Sequence, residues 1–232
     1  MGRECQAVIF DMYETLVTQL RSPLYYGTQI AQDLGLAPED FLPGWRKTEE
    51  GRATGKQTFE EVIRMLLEEH GIYTPEQYNR VVEKRIAVQA DCFLHLHPQI
   101  LPLLKALKER NIRIGLITNC FSEEAGLIRE SELFPYFDGY CLSWEVGVRK
   151  PDTAIYRACL QQLGVSAENC LYVGDGGSRE LETARQLGMQ AIQATWYRQD
   201  SFEKYQAALL PEFLQIPEPM QLLALIIQEE TL

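Results

Sequence analysis

Short apolar runs recur along the chain with amphipathic stretches between them. Ala7-Val8-Ile9-Phe10 is the first, followed by Arg113-Ile114-Gly115-Leu116-Ile117 and Gly139-Tyr140-Cys141-Leu142. Cys170-Leu171-Tyr172-Val173 and Gln190-Ala191-Ile192-Gln193 complete the set. Runs of this length, bounded by turn residues, suit buried strands. Ahead of the second run, Leu101, Leu104 and Leu107 share one helical face. Asn111, Gly164 and Gly188 stand where helices would stop before the second, fourth and fifth runs. Strands alternating with helices at this spacing predict an α/β fold with a parallel sheet covered on both faces.

Residues 18–94 break the alternation. They hold no convincing strand and four helical patterns, over 25–34, 38–50, 58–70 and 74–90. Pro75 suits the first helical position after a Thr74 cap. The expected organisation is a core of residues 1–17 and 95–232 with a four-helix cap, 18–94, inserted after the first strand. A helical module beside strand ends is suited to act as a lid; an added bundle with no part in binding is the alternative. Phe41 and Trp45 fall on one apolar helix face, as core residues do. The apolar run Leu222 to Ile227 is far shorter than the ~20 residues that span a bilayer, and reads as a docking helix.

Composition narrows the function. The chain has 232 residues, 46% hydrophobic, and a formal net charge of -11. That charge disfavours sequence-independent nucleic-acid binding, which needs a basic surface. An anionic substrate would have to be held by a metal and local basic residues. The six cysteines form no C-x-x-C pair, and Met1-Gly2-Arg3-Glu4 does not read as a signal peptide, so reduced thiols in a cytoplasmic protein are expected. A monomer or homodimer is expected.

The candidate chemistry lies at the ends of the predicted strands. Asp11 closes the first, where a carboxylate is costly to desolvate unless paired or metal-bound. Thr118-Asn119 follows the second. Thr118 taken alone fits an N-cap before Glu123 and Glu124 equally well. Val148-Arg149-Lys150-Pro151-Asp152 follows the third, with Pro151 expected at the start of a helix. Gly174-Asp175-Gly176-Gly177-Ser178-Arg179-Glu180 follows the fourth. Carboxylates gathered at neighbouring strand ends repel one another without a cation, and magnesium suits oxygen donors. Gly176-Gly177-Ser178 also has the look of an anion-binding loop, or of a common turn.

These four pieces, in this order, resemble the motifs of the haloacid dehalogenase (HAD) superfamily, whose phosphatases begin with D-x-D-x-T. The resemblance implies a Rossmann-like core and a helical cap. It implies Asp11 as nucleophile, Thr118 and Asn119 around the transferring group, and Lys150 neutralising the anion. It also implies magnesium held by Asp11, the Tyr13 carbonyl, Asp175 and Glu180, with Glu180 acting through water or by orienting Lys150. Tyr13 departs from the pattern, because the usual general acid is an aspartate there. Glu14, one place on, is a possible substitute.

Three functions follow. The first is a magnesium-dependent phosphatase that forms an aspartyl phosphate from a small phosphorylated metabolite. The second is carbon–halogen hydrolysis, since L-2-haloacid dehalogenases resemble this chain in carrying D-x-Y-x-T. The third is a HAD scaffold that binds a ligand or partner with little turnover. Arg46, Arg52, Lys56 and Tyr25 are candidate cap contacts, each with a surface position as its simpler reading. His95 and His97 flank Leu96 at the return to the core and have no carboxylate partner in sequence.

Overall fold

The computed structural model describes residues 5–198 and 207–230, so the N-terminal tetrapeptide lies outside the described residues. Among the described residues, six parallel strands form one sheet: β1 Ala7–Phe10, β2 Arg113–Thr118, β3 Gly139–Leu142, β4 Cys170–Gly174, β5 Gln190–Ala194 and β6 Leu214–Ile216. Their order is β3-β2-β1-β4-β5-β6. The five strands anticipated from the sequence are present. The sixth is three residues long with one of them polar, too short to show a periodicity; it adds to the edge beside β5.

Among the described residues, five helices occupy the stretch 18–94 after β1: α1 Gly27–Asp33, α2 Pro38–Lys47, α3 Glu49–Ala53, α4 Phe59–Glu69 and α5 Pro75–Asp91. The four anticipated patterns became five helices because the chain breaks at Thr48, whose hydroxyl bonds back to the Trp45 carbonyl. Thr58 and Thr74 cap α4 and α5 with their side chains. Further along lie α6 Ile100–Glu109, α7 Ser122–Glu130, α8 Ser143–Val146, α9 Thr153–Leu163, α10 Glu180–Gln186 and α11 Met220–Glu230.

Strand periodicity explains the layers. Every β1 side chain is fully buried, as a central parallel strand covered on both faces requires. Val8 and Phe10 face one layer, with Leu103, Leu104 and Leu107 of α6 and Leu222 of α11. Ala7 and Ile9 face the other, with Ile155, Cys159 and Leu163 of α9 and Leu181 of α10. The α11 segment is thus a docking helix against α6. The inserted helices bury an apolar cluster of their own around Phe41, Trp45, Phe59 and Leu66. The chain leaves β1 for β2 on one side and returns through β4 on the other. This reversal opens a crevice at the carboxyl end of β1, the usual binding position in open parallel sheets.

Candidate active site

Asp11 is the first residue past β1, and its N–H donates to the Val173 carbonyl at 2.9 Å. From Met12 the chain makes a tight turn, with the N–H groups of Leu16 and Val17 both donating to the Met12 carbonyl. Trp196 and Tyr197, just past β5, pin this turn by donating to the Thr15 and Leu16 carbonyls. The Asp11 carboxylate meets Lys150, which is only 3% exposed. Lys150 Nζ lies 2.5 Å from Asp11 Oδ1 and 2.5 Å from Glu180 Oε2. Tyr172 Oη donates to the same Glu180 oxygen at 3.0 Å. The remaining Glu180 oxygen accepts from the Gly176 N–H at 3.2 Å.

Gly174 makes that packing possible. A Cβ there would stand 1.9 Å from Glu180 Oε1, so only glycine lets Glu180 tuck under the strand end. Asp175 follows, its Oδ1 accepting from the Gly177 N–H at 2.8 Å. Ligand oxygens of Asp11, Asp175 and Glu180 all lie within 4.8 Å of one another. Their electrostatics are strained. Burial and the neighbouring Asp11 push Asp175 up to about 6. Burial and Asp11 push Glu180 up to about 8, with Lys150 opposing. Burial disfavours the Lys150 cation, but Asp11 and Glu180 together hold it protonated. One lysine serves three carboxylates, which leaves the site short of positive charge.

Asn119 clasps the Lys150 backbone, accepting from its N–H at 2.8 Å and donating to its carbonyl at 3.2 Å. Thr118 is buried at the end of β2, and its hydroxyl makes only a long 3.4 Å contact with the Asn119 carbonyl. It caps no helix, since α7 begins at Ser122. The structure therefore brings Asp11, Asn119, Lys150, Asp175 and Glu180 together at the strand ends, with Thr118 at the end of the neighbouring strand β2.

Tyr13 points elsewhere. Its Oη is buried with no hydrogen-bond partner, beside Glu124, Cys120 and Arg85. Burial, then Glu124 and Cys120, drive its pKa well above the ordinary phenol value, so it stays protonated. Glu14 adopts a left-handed backbone at φ 57° and spends its oxygens locally, on Thr18 Oγ1 at 2.7 Å and the Gln19 N–H at 2.8 Å. Burial lifts its pKa to about 7.

Several expectations are corrected. Lys150-Pro151 lies before the helix; α9 starts at Thr153 with Asp152 as its cap, whose carboxylate accepts from the Ala154 N–H. The Gly176 and Gly177 N–H groups face Glu180 and Asp175 rather than an incoming anion. Arg52 and Tyr25 are buried rather than on the surface, because each is covered by packing of the inserted helices; Arg46 and Lys56 are exposed. His95 and His97 do have carboxylate neighbours, Asp91 at 3.2 Å and Glu218 at 3.8 Å, and neither joins the site cluster. All six cysteines are buried, and burial raises the Cys120 thiol.

Sequence reasoning missed two supporting residues. Tyr172 looked like any apolar strand residue. Gln193 is fully buried and donates to the Asp175 carbonyl at 2.8 Å, fixing the backbone of that acid. A second glutamine near the carboxyl end of β5, past Ala191 and Ile192, was the available signal.

The inserted helices meet the core through a second buried charge cluster. Arg85 of α5 is 0% exposed and donates to Glu123 Oε1 at 3.0 Å, Glu124 Oε1 at 2.8 Å and the Tyr25 carbonyl at 3.0 Å. Burial pushes Glu124 up to about 7 although Arg85 opposes it. The Phe59 N–H donates to Ser122 Oγ across the same seam.

By fold this is an α/β protein of the enzyme type whose parallel sheet opens a crevice at the carboxyl ends of its strands. Residues 5–188 match the family model described as haloacid dehalogenase-like hydrolase, and the chain belongs to that family. It is 27% identical over 136 residues to a glyceraldehyde 3-phosphate phosphatase of Methanopyrus kandleri, covering 58% of each chain. The chain spans about half the length of the curated relatives it matches. Among solved structures, a HAD phosphatase from Thermococcus onnurineus superposes with a TM-score of 0.63 over 95% of this chain and 97% of that one, at 17% identity. A HAD family enzyme from Bacteroides thetaiotaomicron in complex with magnesium gives 0.64 over 82% and 93%, at 16% identity. No helix among the described residues is long and apolar enough to cross a membrane.

Proposed function

We propose that the chain is a magnesium-dependent phosphatase for a small phosphorylated metabolite, working through an aspartyl phosphate on Asp11. The observation that carries this reading is the carboxylate cluster. Asp11, Asp175 and Glu180 gather within 4.8 Å, yet one lysine is their only close cation among the described residues. An all-oxygen donor set with excess negative charge fits magnesium. Asp11, Asp175 and the Tyr13 carbonyl would hold it, with Glu180 close by; the ion would supply charge neutralisation for a phosphoryl group.

The chain's own residues do the rest. An Asp11 oxygen forms a bond to phosphorus as the ester P–O bond breaks. Lys150 stabilises the charge at that oxygen and on the phosphoryl group. Glu180 and Tyr172 fix the Lys150 amine, and Asn119 fixes its backbone. Thr118 is in place to donate to a phosphoryl oxygen. Water then attacks phosphorus, the bond to Asp11 breaks, and phosphate leaves. Tyr13 takes no part in proton transfer, so the leaving group draws its proton from solvent. Loss of a positioned acid typically costs ~10²–10⁴-fold, which favours leaving groups that need no proton, such as acyl phosphates. Residues 18–94 serve as the cap that closes the site.

A second reading, halide displacement, is favoured by one observation: the Tyr13 hydroxyl is turned into the seam, where it protonates nothing. Asp175, an extra acid with no task in metal-free chemistry, argues against it. The test is turnover of p-nitrophenyl phosphate, acetyl phosphate and L-2-chloropropionate, each with magnesium or EDTA, in the native protein and in Asp11→Asn. Magnesium-dependent phosphate release, fastest from acetyl phosphate and abolished in Asp11→Asn, is expected. Phosphate release that survives Asp11→Asn removes the nucleophile assignment, and chloride release unaffected by EDTA reverses the ranking.

A further inference from the structure

One hydroxyl joins the turn that carries Asp11 to the segment by which the inserted helices return to the core. Tyr197 lies just past β5 and is 2% exposed. Its Oη donates to the Leu16 carbonyl at 3.1 Å and accepts from the His97 N–H at 2.7 Å. Leu16 lies between β1 and α1, at the start of the outward crossing to the inserted helices. His97 lies between α5 and α6, on the return crossing. The phenol thus spends its proton on one crossing and a lone pair on the other. Trp196 cannot make such a bridge, because an indole N–H only donates; it holds the turn to the core through the Thr15 carbonyl at 2.7 Å.

Both ends of the bridge are anchored. On the side of the turn, the Leu16 N–H donates to the Met12 carbonyl at 2.8 Å. A run of hydrogen bonds therefore leads from Tyr197 through Leu16 to the residue next to Asp11. On the return side, the His97 ring stands edge-on to the Tyr197 ring at 6.2 Å, and its Nδ1 accepts from the Gln99 N–H at 3.2 Å. Gln99 Oε1 accepts in turn from the Met220 N–H at the start of α11, at 3.0 Å. Arg21, on the outward crossing, brings its guanidinium carbon to 5.6 Å from the Tyr197 ring centroid and makes a long 3.4 Å contact with the His95 carbonyl. The two crossings therefore meet at one aromatic ring of the core.

We propose that Tyr197 is a positioning residue for Asp11, holding the Asp11 turn in its working shape only while the return crossing is docked. This role rests on the reading of Asp11 as nucleophile, and it belongs to a residue that touches neither substrate nor metal. The inserted helices can move against the core only by bending the two crossings, so such a movement reaches Asp11 through the Tyr197 hydroxyl. The geometry it protects is tight, with Lys150 Nζ 2.5 Å from Asp11 Oδ1. A misplacement of about 1 Å at a reacting group can cost ~10²-fold in rate.

Tyr197→Phe deletes the hydroxyl and keeps the ring. With the magnesium-loaded protein and acetyl phosphate, kcat is expected to fall tenfold or more, with KM changed less than threefold. Thr74→Ala, which removes the side-chain cap of α5, is the destabilised control and should keep both constants within twofold. Amide hydrogen exchange reads the coupling without turnover. His97→Ala loosens the return crossing while keeping its N–H. It should speed exchange over residues 12–19 at least threefold when Tyr197 is present, and add nothing in the Tyr197→Phe background. A Tyr197→Phe kcat within threefold of native, or unchanged exchange over 12–19 in His97→Ala, overturns the proposal. If exchange responds as expected but the native protein releases no phosphate, the coupling stands and the phosphatase reading falls. Should Tyr197→Phe fail to fold, His97→Ala decides alone.

Discussion

Removing Arg85 should expose how the inserted helices are anchored. The side chain is 0% exposed and holds Glu123 and Glu124 at 3.0 and 2.8 Å. Arg85→Met keeps much of the volume and leaves two buried carboxylates without their cation. Breaking a buried pair on one side typically costs ~3–5 kcal/mol. For a chain of this size 1 kcal/mol moves Tm by roughly 2–4 °C, so the melting temperature at pH 8 should drop by about 6–20 °C. The loss should depend on pH, with a definite sign. Burial already lifts Glu124 to about 7 with Arg85 present, above the ordinary glutamate value of roughly 4.3. A carboxyl group raised in the folded state carries no penalty below its unfolded value. It loses stability as pH climbs from there to the folded value, after which the penalty is constant. Without Arg85 the folded value rises further, so the variant should lose clearly less at pH 5 than at pH 8. The triple variant Arg85→Met, Glu123→Gln, Glu124→Gln should recover at least half the loss, because a buried cluster removed as a unit leaves no uncompensated charge. Thermal unfolding followed by circular dichroism at the two pH values measures all of this. A pH 8 melting point within 4 °C of the native protein, or an equal loss at both pH values, refutes the account.

Three further outcomes are expected. Gly174→Ala places a methyl 1.9 Å from Glu180 Oε1 and must push that carboxylate off Lys150, so a loss of about 1–3 kcal/mol in denaturant titration is expected, together with at least tenfold lower turnover. Gly55→Ala combines a left-handed φ of 72° with a Cβ 2.2 Å from the Trp144 carbonyl, so it should destabilise by about 1–3 kcal/mol; unchanged stability would show that the seam yields easily. Magnesium should raise the melting temperature of the native protein, by the equivalent of ~2.7 kcal/mol at 100 times its Kd, and should leave that of Asp175→Asn nearly unchanged; equal shifts in both would place the ion elsewhere.

The sheet was readable because buried parallel strands must be apolar throughout, as Ala7 to Phe10 are. The acids and Lys150 were readable because charged residues at strand ends have few structural excuses. What escaped was whatever depends on side-chain direction. Tyr172 and Gln193 serve the site from within β4 and β5, yet their sequence context is that of ordinary strand residues. Arg52 looked like a solvated helix residue, since the 3.6-residue period says which residues share a face but not what that face meets. The break at Thr48 came from one side-chain hydroxyl returning to the Trp45 carbonyl, a choice that helix propensity does not foresee.

Tyr13 links the two buried charge clusters. Its backbone belongs to the turn that carries Asp11, while its hydroxyl lies beside Glu124 and Arg85 in the seam. An aspartate at this position would add a further carboxylate to a site already short of positive charge, where Lys150 alone faces three acids. A tyrosine leaves that charge balance untouched and extends the apolar core towards the inserted helices instead. Its pKa is far too high for it to act as a base, so its effect on chemistry is exerted through what it abuts. The loss of an acid at the scissile bond and the gain of a neutral donor at the seam are therefore one substitution seen from two sides.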